Sequence, residues 1–267
     1  MDKVRVLAAN AFRDVLHKRV VYVAVFLAVV GILVMLTPLA FLRMAKEAGE
    51  TKVAEQVGAS LVLGVLNMWS SGATLIGLFL GATAVSAEVK SKTIVTVLAR
   101  PVGRAEYLLG KWLGIQLFVL LFVGVGAVAG CAAVHYFQVQ PSGLFPLAIG
   151  ELFVDAVFFC ALSVALGAIM PPVAAGAGTV FAQLMPSLAR PFLADPRPLV
   201  SWLALAGYYV GPAQMPVSLL GHSFAKELLN PSYGLYAQVL VENVLYAAAV
   251  MVVACRVFAR REVRLSS

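Results

Sequence analysis

Long apolar runs separated by short clusters of charge set the pattern of this chain. Residues 20–36 and 112–134 contain no Asp, Glu, Lys or Arg at all. At about 1.5 Å per residue, an apolar helix of about 20 residues covers the roughly 30 Å hydrocarbon core of a bilayer. The pattern predicts six spanning helices, over residues 20–42, 61–87, 112–137, 145–170, 172–193 and 234–258. The first holds Pro38 near its far end and the fifth holds Pro186 and Pro191, which a buried helix tolerates when neighbours satisfy the freed carbonyls. Ahead of them, residues 1–19 place Val4, Leu7, Ala8, Ala11, Phe12, Val15 and Leu16 on one helical face. Lys3, Arg5, Arg13, Lys18 and Arg19 supply the polar side, the pattern of an amphipathic helix lying in the membrane interface. The first apolar run is longer than the about 7–15 residues of a signal-peptide core, so it is read as an uncleaved helix.

Ser201 to Gly221 is also largely apolar, but Gly207, Gly211, Pro212 and Pro216 interrupt it. A seventh span here would carry Arg256, Arg260, Arg261 and Arg264 to the outer side. Short or re-entrant helices within an outer segment over 194–233 are therefore expected. With the N-terminus inside, fourteen of the 20 Lys and Arg fall in segments 1–19, 88–111 and 256–267. Arg43, Lys46, Lys52, Arg190, Arg197 and Lys226 fall outside. That asymmetry puts both termini in the cytoplasm, and the inner (plasma) membrane is the expected location.

Composition agrees with the pattern. The 267 residues are 61% hydrophobic and 12% charged, against about 25% charged in soluble domains, which excludes an ordinary soluble enzyme. The net charge of +7 needs no nucleic-acid partner, because cytoplasmic loops collect basic residues. The fold class predicted is all-α: a single transmembrane domain over 1–267, a polytopic bundle of six helices with an N-terminal interfacial helix.

Reactive constellations are missing. There is no H-E-x-x-H helix and no G-x-S-x-G turn, and His17, His135 and His222 fall in unrelated places. Gly103 to Lys111 has the wrong glycine spacing for a phosphate-binding loop, and Trp112 stands where Ser or Thr is required. No ATPase site, catalytic residue, metal site or bound cofactor is expected. Cys131, Cys160 and Cys255 lie in or at the end of apolar runs, and with Met35, Met68 and Met185 they read as core filling rather than soft metal ligands.

The most distinctive stretch is E-V-K-S-K-T-I-V-T-V-L-A-R-P-V-G-R-A-E-Y-L-L-G-K, Glu88 to Lys111. It reads as a short helix, a break at Pro101 and Gly103, and a second helix from Arg104 that runs into the third span. An acid at Glu88, then Thr93, Leu98, Pro101, Arg104, Glu106, Tyr107 and Leu108-Leu109-Gly110-Lys111 resembles the cytoplasmic loop of permease subunits of type-2 ATP-binding-cassette transporters. Lys92 stands where that family often has Gly. The resemblance also takes in the N-terminal helix, the six spans and the broken outer segment.

What the resemblance implies is a coupling helix within 88–111 that docks on a separate ATPase subunit, with ATP and Mg held by that partner. Glu88, Lys92, Thr93, Thr96, Arg100, Pro101, Arg104 and Glu106 are the implied interface residues. A second permease copy, identical or homologous, is implied as well. Export is the expected direction, since nothing suggests docking by a soluble binding protein.

Three carboxylates fall inside predicted spans. Glu151 and Asp155, four residues apart, share a helix face about 9 and 15 Å deep, and Glu242 lies about 10–12 Å deep at about 1.5 Å per residue. Such groups usually face a cavity or the bundle interior, so these are candidate substrate-pathway residues; pairing with Arg190 or Arg197 is the structural alternative. An ion-coupled secondary transporter or channel built on these carboxylates is the competing function, although the two halves lack the internal repeat common in such carriers. Gly77/Gly81, Gly110/Gly114 and Gly126/Gly130 carry the small-residue spacing that lets helices pack closely.

Overall fold

The computed structural model describes residues 2–36, 51–86, 88, 103–194, 197–213, 219–224 and 233–260. Among them the chain is helical: α1 (Asp2–Leu16), α2 (Val20–Leu36), α3 (Thr51–Thr83), α4 (Arg104–Phe137), α5 (Phe145–Gly167) and α6 (Pro172–Ala189), a 3₁₀ turn at Arg190–Phe192, then α7 (Pro198–Val210), α8 (Leu219–Phe224) and α9 (Tyr233–Arg260). Lys92, Thr93, Thr96, Arg100 and Pro101 lie outside the described residues.

Local chemistry sets the helix ends. The Glu106 carboxylate accepts a hydrogen bond from the Gly103 N–H at 2.9 Å, so α4 starts at Arg104, within the predicted coupling segment, and runs unbroken to Phe137. It stops at Gln138, which adopts a left-handed conformation (φ 54°) and turns the chain. Prolines in the first turns of α5, α6 and α7 occupy positions where a missing N–H costs no hydrogen bond.

Among the described residues, four helices are long and apolar enough to cross a membrane: Glu55–Thr83, Arg104–Phe137, Phe145–Gly167 and Tyr233–Arg260. The pair Lys3–Leu16 and Val20–Val34, bent by 67° at the intervening turn, raises the count to five if taken as one broken span. The multi-pass, all-helical prediction is met at that level. The fifth predicted span corresponds to α6, which ends at Ala189 and carries Pro186 within its 18 residues.

Small residues decide how the helices approach. A Cβ on Gly126 would run into the Trp69 ring, and one on Gly130 would lie 2.5 Å from Leu66, so α3 and α4 pack antiparallel on the indole. Trp69, 2% exposed, donates its ring N–H to the Phe122 carbonyl at 3.0 Å. Gly77 and Gly81 face Cys160 and Ser163, and Gly167 faces the Gly81 and Ala82 carbonyls, so α3 and α5 run parallel. The Ser163 hydroxyl donates to the Leu78 carbonyl across that contact at 2.6 Å. Gly31 against Trp69 and Gly72 against Leu27 make α2 antiparallel to α3. Gly143 against Tyr233 and Gly150 against Leu240 make α9 parallel to α5. The outward faces carry Phe26, Leu75, Leu121, Val128, Val252 and other exposed apolar residues, as a lipid-facing surface requires.

Candidate functional site

The segment singled out by sequence is held at its base. The N-terminal helix α1 lies along the start of α4, and the contact is close: a Cβ on Gly110 would sit 2.5 Å from that of Leu7, and one on Gly114 2.5 Å from that of Ala11. Ala11 and Val15 are buried by it. This is where part of the amphipathic stripe goes, onto protein.

Charge gathers beside this seam. Lys111 forms an ion pair with Glu88 and a second with Asp14 of α1, the latter at 3.2 Å. The Tyr107 hydroxyl donates to Glu88. Tyr107 is 1% exposed and its ring stacks on Phe258 of α9 with centroids 6.2 Å apart. Glu88 and Lys111 flank residues 89–102, so one cluster ties both flanks of that segment to α1, α4 and α9. A cavity of about 360 Å³ opens here, lined by Asn10, Arg13, Asp14, Glu88, Tyr107 and Lys111 among others. Burial first, and the Lys111 charge next, push the nearby Lys18 ammonium below its ordinary value, with Asp14 and Glu88 pulling the other way.

Of the residues the sequence assigned to an ATPase interface, two have clear intrachain roles: Glu88 is an ion-pair partner and Glu106 caps α4. Arg104 also lies within the first turn of that helix and engages in a contact within the chain. The sequence reading passed over Asp14. Its signal was an acid on an otherwise basic face, four residues before Lys18.

The intramembrane carboxylates separate into a pair and a single. Glu151 and Asp155 stand one turn apart on α5, and Glu151 accepts a hydrogen bond from the backbone N–H of Leu219 at the start of α8. The Ser142 N–H donates to the Ser223 carbonyl at 2.7 Å, and Phe145 meets Phe224 edge-on, so α8 is fastened across the start of α5. Glu242 is on the exposed face of α9, where Gln238 donates to it at 2.7 Å. Among the described residues the three do not join into one cluster.

Pro186 and Gly211 meet in a second irregular region. The α7 helix folds back along α6, with Gly207 beside Ala189 and Met185 and Gly211 beside Ala182 and Pro186. Asn243 of α9 donates to the Ala213 carbonyl at 3.2 Å, and the Tyr246 hydroxyl donates to the Val210 carbonyl. Neither Asn243 nor Tyr246 stood out in the sequence.

A protein-family model described as ABC-2 family transporter protein matches residues 5–263, nearly the whole chain. No curated protein matches it.

Proposed function

We propose, from the premise that this chain belongs to the ABC-2 transporter family, that it is the permease subunit of an ATP-driven exporter whose energy comes from separate ATPase subunits. Two permease copies work with two ATPases that hold ATP and Mg. The observation that carries the reading is the joint at Glu88, Tyr107 and Lys111: both flanks of residues 89–102 are tied to α1, α4 and α9, so a displacement of that segment moves several helices together. Thr93, Thr96, Arg100, Pro101 and their neighbours form the docking surface in this scheme.

Six crossings are part of this reading, and the packing directions support them. Helices α3, α5 and α9 run one way, and α2, α4 and α6 run the other, which supports α2 and α6 as spans beside the four longest helices. The excess of Lys and Arg at one end supports cytoplasmic termini. Glu151 and Asp155 line the outer half of the route in this scheme, so Asp155→Asn should lower transport while assembly stays normal, and full activity would remove them from it.

Purification from native membranes in mild detergent tests the reading, with wild type compared to the Thr93→Asp, Arg104→Glu double variant. The expected result is an ATP-binding-cassette subunit recovered in near-equal amount with wild type and lost with the variant. Recovery of the chain alone, with transport persisting after ATP depletion, would reject it in favour of an ion-coupled carrier.

A further inference from the structure

The turn that closes α7, Gly211–Ala213, sits deep. Ala182 lies ten residues into α6 and Asn243 ten residues into α9, helices that start from opposite faces, so each is about 15 Å from its own surface at about 1.5 Å per residue. Two helices counted from opposite sides thus place Gly211–Ala213, which touches both, near the middle of a roughly 30 Å core.

That depth is unusual for what the turn exposes. Proline has no N–H, so Pro186 deprives the Ala182 carbonyl, four residues earlier, of its helical partner. Gly211 packs against that carbonyl and against the Pro186 ring, 2.6 Å from where its Cβ would be, and no other residue fits there. The last carbonyls of α7 end at the same level; Tyr246 donates to that of Val210 and Asn243 to that of Ala213. The Asn243 side chain is 6% exposed, and its Oδ1 has no hydrogen-bond partner among the described residues.

Tyr246 and Asn243 supply donors for two of these carbonyls, and what is left over is acceptor, Asn243 Oδ1 and the Ala182 carbonyl freed by Pro186, in a place where an acceptor without a partner is costly unless a polar group meets it. From this we infer that the Gly211–Ala213 turn, with Asn243 Oδ1 and the carbonyls of Ala182 and Val210, forms a mid-membrane site for a cationic group of the transported molecule, such as a protonated amine. Carbonyls at the end of a broken helix replace part of the water shell of a cation, and Asn243 both fixes the turn and supplies a further oxygen. The identification of that cation as cargo rests on the permease reading; the site itself does not.

The test uses the purified full chain in lipid nanodiscs, without an ATPase. Ala213→Cys is placed in a Cys131→Ala background, the other two cysteines being buried. Its reaction rates with the cationic trimethylammonioethyl methanethiosulfonate and the anionic sulfonatoethyl reagent are each divided by the rate with a free small thiol. A preference for the cation of about tenfold is expected, the gain in local concentration typical of a site lined by one sign of charge. Adding Asn243→Leu should remove most of it, and adding Asn243→Asp, which keeps the shape, should increase it; the second serves if the first does not fold. Equal rates, faster reaction with the anion, or no reaction with either reagent would overturn the site. None of these results bears on ATPase recovery, so the site and the permease reading fail separately.

Discussion

Replacing Lys111 with Met removes the charge that joins Glu88 to Asp14. The two pairs are not equivalent, because the side-chain exposures are 15% for Lys111, 20% for Glu88 and 60% for Asp14. Breaking a fully buried pair costs about 3–5 kcal/mol, and an exposed one contributes about 0–1 kcal/mol. The Glu88 pair retains some water, so its loss is set between these limits, at about 2 kcal/mol, and the Asp14 pair at less than about 0.5 kcal/mol. Chemical unfolding in mild detergent, followed by tryptophan fluorescence, gives the stability of Lys111→Met, Glu88→Gln, Asp14→Asn and the two doubles with Lys111→Met. The Glu88–Lys111 cycle should return a coupling of about 1–2 kcal/mol, and the Asp14–Lys111 cycle one that is close to zero. A Glu88–Lys111 coupling below about 0.5 kcal/mol would refute the reasoning, and so would a larger value for Asp14.

Other outcomes follow from neighbouring contacts. Gly114→Val places a side chain where a Cβ already meets Ala11 at 2.5 Å and the Ala8 carbonyl at 2.6 Å, so it should cost about 1–3 kcal/mol; Gly124→Ala, with no atom within 4 Å, should be neutral or slightly stabilising in the same melts. Lys18, held below its ordinary value of 10.5, binds its proton less tightly when folded than when unfolded. Stability of the wild type relative to Lys18→Met should therefore rise as pH climbs from 7 toward 10.5, and parallel melting curves across that range would contradict it. Trp69→Phe loses the bond to the Phe122 carbonyl and should cost about 1 kcal/mol beyond the change in ring size, read against Trp112→Phe as a control.

The helices themselves were legible because membrane helices are written as long charge-free runs: α5 and α9 fall within a few residues of the expected bounds, and α4 joins the third span to the helix expected from Arg104. The three glycine pairs were legible as contacts for the same reason, since a small residue every fourth position makes a flat helical face. Partners were not. Nothing in the spacing of Glu88, Lys111 and Asp14 says that residues up to 97 apart share one charge cluster. Glu242 shows the converse limit: its depth could be counted, but whether it turned inward depended on which stripe of α9 packs, and Tyr236, Asn243, Ala247, Met251 and Phe258 took that role. Pro186 was visible as a helix interruption. That Gly211 would come to lie against the carbonyl it frees required the fold-back of α7 on α6.

Helix α9 links the two irregular regions. Its C-terminal end carries Phe258, stacked on Tyr107 of the joint, and about 22 Å away at about 1.5 Å per residue it carries Asn243, bonded to the deep turn. Cys255 and Ala254 are buried close to that lower end, and Met251 and Ala247 continue the packed stripe upward, so the helix is held along one side by close contacts and has an opposite face of exposed apolar residues. A rod fixed in this way transmits a tilt better than a bend. Under the proposed function, a push on residues 89–102 is delivered through Glu88, Tyr107 and Phe258 to α9, and a tilt of α9 is felt at the Asn243–Ala213 and Tyr246–Val210 bonds, which tie the same helix to the deep turn. The oxygens of the deep site would then rearrange when the ATPases close. The consequence is measurable: locking Phe258 out of the stack with Phe258→Ala should leave reagent preference at Ala213→Cys intact in the isolated chain but abolish any change in it on adding ATP to the assembled transporter. A change that persists in Phe258→Ala would show that the motion reaches the turn by another route.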